Sequence, residues 1–100
     1  MTREHFGSVN TPVYRTSTIL YPDIQSLKTE SQPYKYGRRG TPTSRSFESA
    51  IEKLEGGARC VALPSGLNAI ATAILAVCSA GDHVLMVDTC YGPTRLSPRH

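Results

Sequence analysis

The stretch Arg59-Cys60-Val61-Ala62-Leu63-Pro64-Ser65-Gly66-Leu67, continuing through Ala69-Ile70 and Ala73-Ile74-Leu75-Ala76-Val77 to His83-Val84-Leu85-Met86-Val87-Asp88, decides the fold. Residues 59–63 are a short apolar run stopped by a proline, the pattern of a buried strand. Ser65 is a natural cap for a helix running to about Ser79, and that helix is apolar nearly all round, which predicts burial on most sides. Ala80-Gly81-Asp82 turns the chain, and residues 83–88 read as a second strand. Strand, helix and strand of these lengths make a βαβ crossover with parallel strands and a right-handed connection. The expected class is therefore α/β.

Upstream, Thr41 and Pro42 start a helix whose Phe47, Ala50, Ile51 and Leu54 fall on one face, and Gly56-Gly57 ends it. Residues 1–45 are rich in Thr, Ser, Pro, Tyr and Arg and keep no long period. They read as an extended arm that must lie on other protein surface, with a short helix beginning at Tyr21-Pro22-Asp23-Ile24, where Asp23 is the cap and Ile24 and Leu27 are spaced three apart. The organisation expected is an arm at 1–45, the start of an α/β domain at 46–95, and an atypical tail at 96–100.

Composition bounds the function. With 39% hydrophobic and 19% charged residues the chain is of globular type. The net charge is +3, and the basic residues are scattered except at Lys35, Arg38, Arg39 and Arg45, a cluster suited to a small phosphate and not to a nucleic-acid track. No signal peptide is read at the start, and the longest apolar run, Ala69–Val77, is about half of the ~20 residues a bilayer requires. A soluble cytoplasmic protein, binding neither membrane nor nucleic acid, is expected. Cys60, Cys78 and Cys90 form no C-x-x-C pair and read as free thiols in a reducing compartment; His5, His83 and His100 supply no obvious base for a nucleophilic cysteine and no zinc-like interval, so no metal is expected.

Three constellations carry chemistry. The first is the turn Ser65-Gly66-Leu67. The first amides of a helix have no partner inside it and point outward at the positive end of the dipole, so they bind phosphate; the plainer reading is a capped helix with a glycine beside it. The second is Tyr36-Gly37-Arg38, where a guanidinium clasps two phosphate oxygens and a nearby phenol adds a neutral donor; the plainer reading is a solvated surface pair. The third is Tyr91, in Asp88-Thr89-Cys90-Tyr91-Gly92-Pro93-Thr94-Arg95, on a loop at the carboxyl end of the second strand. There its ring either stacks on a planar ligand or packs over the Gly-Pro turn.

As an ordered set these segments resemble one family. The matching strings are Val9-Asn10-Thr11-Pro12-Val13-Tyr14-Arg15-Thr16-Ser17-Thr18, Tyr36-Gly37-Arg38-Arg39-Gly40-Thr41-Pro42-Thr43, Leu54-Glu55-Gly56-Gly57, Ser65-Gly66-Leu67 and Tyr91-Gly92-Pro93-Thr94. The sequence is similar to the Cys/Met-metabolism enzymes of pyridoxal-phosphate fold-type I, and most like the cystathionine β-lyases among them. The resemblance implies that the α/β segment is the first βαβ portion of a fold-type I large domain, here incomplete, with pyridoxal 5'-phosphate as cofactor. It implies that Tyr36 and Arg38 reach the cofactor phosphate of a neighbouring subunit, in a dimer of dimers. It also implies that Gly66 and Leu67 give backbone amides to the phosphate in their own subunit, where the Ser65 cap can add its hydroxyl, and that Tyr91 stacks on the pyridine ring and assists proton transfer. The implied reaction takes cystathionine to homocysteine, pyruvate and ammonia, a step of transsulfuration and methionine biosynthesis. Related γ-synthase, γ-lyase and methionine γ-lyase activities are the near alternatives.

The resemblance also implies what is missing. The family's Schiff-base lysine follows in a Ser-x-Thr-Lys-like context beyond residue 100, and Lys28, Lys35 and Lys53 stand in no such context. Pro98 would obstruct the helix into which the family continues. These departures predict an inactive fragment of a lyase. The competing class is a non-enzymatic remnant that binds phosphate compounds or an intact relative. A free-standing nucleotide module ranks last, because G-x-G-x-x-G and the P-loop lysine are absent.

Overall fold

The computed structural model describes residues 4–96, and its elements arise where local chemistry specifies them. Helix α1, Ile24–Thr29, is capped by Asp23, whose carboxylate accepts the Ser26 amide at 2.6 Å. That amide holds the Asp23 carboxyl below its usual value.

Helix α2, Pro42–Glu55, starts with a reciprocal cap: Ser44 N–H donates to Thr41 Oγ1 at 3.4 Å and Thr41 N–H donates to Ser44 Oγ at 3.0 Å. Two orphan amides are satisfied at once, with Pro42 in the one position where its missing N–H costs nothing. Gly56, at φ 64°, closes the helix in the left-handed region. Helix α3, Gly66–Val77, is capped by Ser65, and the short helix α4, Gly92–Leu96, follows and packs against it. All three sequence-predicted helices are present, with Asp23, Thr41 and Ser65 as their caps.

The chain divides into two compact units, residues 1–61 and residues 62–100. In the first, the arm lies along the start of α2. Thr43 Oγ1 accepts the Tyr14 amide at 2.8 Å and donates to the Pro12 carbonyl at 2.7 Å, and Thr11 donates to Ser46 Oγ at 3.0 Å. Helix α2 thus belongs with the arm. Leu96 ends α4, and residues 97–100, which include Pro98 of the tail expected to be atypical, lie outside the described residues.

Two expectations are not met. Among the described residues there is no strand; the only ladder contact is an isolated antiparallel bridge between Thr18 and Tyr36. Residues 59–63 and 83–88 therefore do not form the βαβ unit's strands here, because parallel strands hold only as part of a wider sheet covered on both faces. Nor is α3 buried: Leu75 is 77% and Val77 81% exposed, and no hydrophobic side chain among the described residues is fully buried. A helix apolar all round has nothing to pack into without that sheet. The amphipathic face of α2 is likewise open, with Phe47 57% and Leu54 79% exposed. No described helix is long and apolar enough to cross a membrane.

Candidate functional site

In the second unit the chemistry gathers at the start of α3. Ser65 takes an extended conformation, its Oγ accepts the Asn68 amide at 3.1 Å, and its carbonyl accepts the Ala69 amide at 3.0 Å. The cap uses a lone pair of the hydroxyl and leaves its proton for an acceptor. The amides of Gly66 and Leu67 are the first two of the helix and have no acceptor within it. At Gly66 the position a side chain would occupy has nothing within 4 Å, so an anion meets backbone directly; Leu67 is half-exposed. Three outward donors on three consecutive residues, at the positive end of a 12-residue helix, match a phosphate dianion.

Tyr91 directly precedes α4, the helix packed on α3, and is 67% exposed. Its carbonyl accepts the Thr94 amide at 2.9 Å. Arg95 closes the loop, donating to the Asp88 carbonyl and pairing with the Asp88 carboxylate at 3.2 Å. The ring therefore stands on a bracketed loop with a free face.

In the first unit, Tyr36 forms the bridge to Thr18 and leads into a tight turn, Gly37–Arg39, on which Arg38 is exposed. The Gly37 amide donates to the Ser17 carbonyl at 2.7 Å, and any side chain at Gly37 would collide with the Thr16 carbonyl. Glycine is therefore required between the phenol and the guanidinium.

The basic cluster resolves differently from its sequence pattern. Lys35, Arg39 and Arg45 line a cavity of about 250 Å³ together with Arg59, and Arg38 is not among its walls. Carboxylates already face these cations: Lys35 pairs with Glu30, and Arg45 pairs with Glu48 at 3.7 Å and with Glu52 at 2.8 Å. Lys35 holds the Glu30 carboxyl below its usual value.

Glu52 was not singled out in the sequence. It takes both Arg45 nitrogens, at 2.8 and 3.2 Å, and accepts the Cys60 amide at 3.0 Å. Arg45 first, then the Cys60 amide, holds its carboxyl below the usual value, while the pairing raises that of Arg45. Arg45 and Glu52 are seven residues apart, two helical turns on one face, a signal that could have revealed them.

The match to known sequences is extensive. The profile of the Cys/Met metabolism PLP-dependent enzymes covers residues 1–98. The chain belongs to this family. Pyridoxal phosphate is accordingly its expected cofactor. Among curated relatives, the family member is 46% identical over 92% of its length to a Rhizobium johnstonii protein provisionally named cystathionine β-lyase, covering 23% of that protein. It is 40% identical over 89% of its length to the cystathionine β-lyase of Escherichia coli, covering 24% of it. With that of Lactococcus lactis subsp. cremoris the identity is 41% over 88% of the chain and 22% of the relative. The chain thus spans about a quarter of the length of the curated relatives it matches. No solved structure matches.

Proposed function

We propose that this chain supplies the phosphate-binding part of a pyridoxal-phosphate-dependent carbon–sulfur lyase acting on cystathionine, in the cytoplasm, within an assembly of identical subunits. The observation that carries the reading is the start of α3, where Ser65, Gly66 and Leu67 are all exposed and the space beside Gly66 is open at the positive helix end. Family membership supports the phosphate of pyridoxal phosphate as the anion such a cradle would hold.

In this reading Ser65, Gly66 and Leu67 hold the cofactor phosphate, and Tyr36 and Arg38 approach it from an adjoining subunit. One charge-assisted contact of the Arg38 kind contributes roughly 1.5–3 kcal/mol. Tyr91, whose ring is exposed, would stack against the cofactor ring and would accept a proton from the amino group of the incoming substrate. When bound, the cofactor supplies an electron sink for the bond cleavages at the substrate's α and β carbons. The net change is cystathionine plus water to homocysteine, pyruvate and ammonia.

The chain's own lysines have other surroundings. Lys28 and Lys53 are exposed on α1 and α2, and Lys35 is paired with Glu30. We therefore propose that the chain alone binds the cofactor without a covalent link and does not turn over cystathionine. Titration with pyridoxal phosphate followed by phosphorus NMR is expected to show saturable binding that Arg38→Ala and Ser65→Ala weaken. Borohydride treatment and mass mapping are expected to find no lysine adduct. Absence of binding defeats the phosphate reading, and an adduct confined to Lys28, Lys35 or Lys53 defeats the non-covalent one.

A further inference from the structure

We infer that Thr43 is a positioning residue for the Tyr36–Arg38 turn, acting through the N-terminal arm. The inference rests on the proposed role of that turn in binding the cofactor phosphate and adds how the turn is held. Thr43 touches neither Tyr36 nor Arg38 by any hydrogen bond the structure shows. Its hydroxyl closes on two sides of residues 12–14: it accepts the Tyr14 amide at 2.8 Å and donates to the Pro12 carbonyl at 2.7 Å. One hydroxyl thereby fixes both the position and the direction of a segment that makes no ladder of its own.

Three residues further on, the same segment grips the turn. The Ser17 carbonyl accepts the Gly37 amide at 2.7 Å, Thr18 bridges Tyr36, and the Thr16 carbonyl occupies the space a side chain at Gly37 would need. Thr16 Oγ1 donates to the Thr18 carbonyl at 3.2 Å and braces this contact from within the arm. The arm is thus clamped at residues 12–14 by the start of α2 and at residues 16–18 by the turn. The turn and α2 are themselves only Gly40 and Thr41 apart. A closed loop of contacts results, in which the backbone beneath the phenol and the guanidinium inherits its place from a threonine on a capped helix. Thr43 itself sits in the second position of a helix held by a reciprocal cap, so it is a firm anchor.

The test compares the wild-type chain with Thr43→Val, which keeps the shape and removes the hydroxyl, and with Thr43→Ser, which keeps the hydroxyl. Amide exchange and nitrogen-15 NMR follow Tyr14, Tyr36, Gly37 and Arg38, and pyridoxal phosphate is titrated into each. Loss of two hydrogen bonds predicts that Thr43→Val exchanges the Tyr14 amide roughly tenfold faster, shifts the Tyr36–Arg38 signals, and weakens pyridoxal phosphate binding about tenfold. Thr43→Ser restores all three. Tyr36–Arg38 signals unmoved in Thr43→Val would overturn the inference even if Tyr14 exchange rises.

Should Thr43→Val lose α2, Gly37→Ala decides from the opposite end of the clamp. Faster Tyr14 exchange with α2 intact supports the linkage, and unchanged exchange refutes it. If the wild-type chain binds no pyridoxal phosphate, the functional reading fails, while the response of Tyr36–Arg38 to Thr43→Val still decides the positioning role.

Discussion

The two units hold themselves in opposite ways. Residues 4–61 rely on polar contacts: hydroxyl clasps between the arm and α2, a reciprocal cap, and a carboxylate shared by Arg45 and the Cys60 amide. Residues 62–96 rely on an apolar helix whose side chains stay largely in water. Polar contacts are directional and complete over a few residues, so they form wherever the chain brings donor to acceptor. Burial is collective and needs surface on every side. Hydrogen-bonding residues therefore specify geometry locally, whereas apolar patterning specifies it only where other surface closes over it.

The largest effect is expected from Ala73→Pro in α3. It removes a helix hydrogen bond and clashes with the preceding turn, costing about 3 kcal/mol relative to alanine, and helical circular dichroism from the second unit should vanish. Persistence of that signal would mean that α3 is held by something besides its own backbone. Next comes Thr41→Ala, which deletes the reciprocal cap at the least exposed described position, 7%. It should cost about 1 kcal/mol and loosen α2 in amide exchange, and Thr41→Ser should recover most of the loss.

Acid should discriminate the units further. The Glu52 carboxyl sits below its usual 4.5 because Arg45 and the Cys60 amide favour its charged form. A lowered native value contributes stability that is fully present above pH 4.5 and is lost as pH falls through the native value. Amide exchange at Cys60 should therefore accelerate on acidification below that range, and Glu52→Gln should exchange faster at neutral pH and lose most of the acid dependence. The smallest effect on stability is expected from Leu75→Lys on the exposed flank of α3. Helicity should stay within about 0.5 kcal/mol of wild type while binding of an apolar dye falls.

Legibility in the sequence follows the same line. Asp23, Thr41, Ser65 and Gly56 announced their helix ends because capping is decided by a residue and its near neighbours. The strands at 59–63 and 83–88 and the burial of α3 were read from apolar patterning, which states a preference for an interior without supplying one. At the candidate site, the cap at Ser65 and the open approach at Gly66 could be read from turn chemistry, whereas the sequence left Tyr91 between stacking on a ligand and packing over its Gly-Pro turn, and the exposure of its ring comes from the structure. The clamp through Thr43 and the collision that demands Gly37 could not. They join residues 29 and 31 positions apart in one case and 20 or 21 in the other, across a segment with no period to betray its path.

The bracket around Tyr91 is closed in two chemically different ways. Its outer closure is an ion pair between Arg95 and an Asp88 side chain that is 99% exposed. Pairs of that kind are screened once the Debye length falls to about 8 Å near physiological salt, whereas the Tyr91–Thr94 hydrogen bond is not. Ionic strength thus weakens the Arg95–Asp88 side-chain pair and spares the hydrogen bonds at the Asp88 and Tyr91 carbonyls, so added electrolyte strips the loop of its charge while leaving its backbone closure in place.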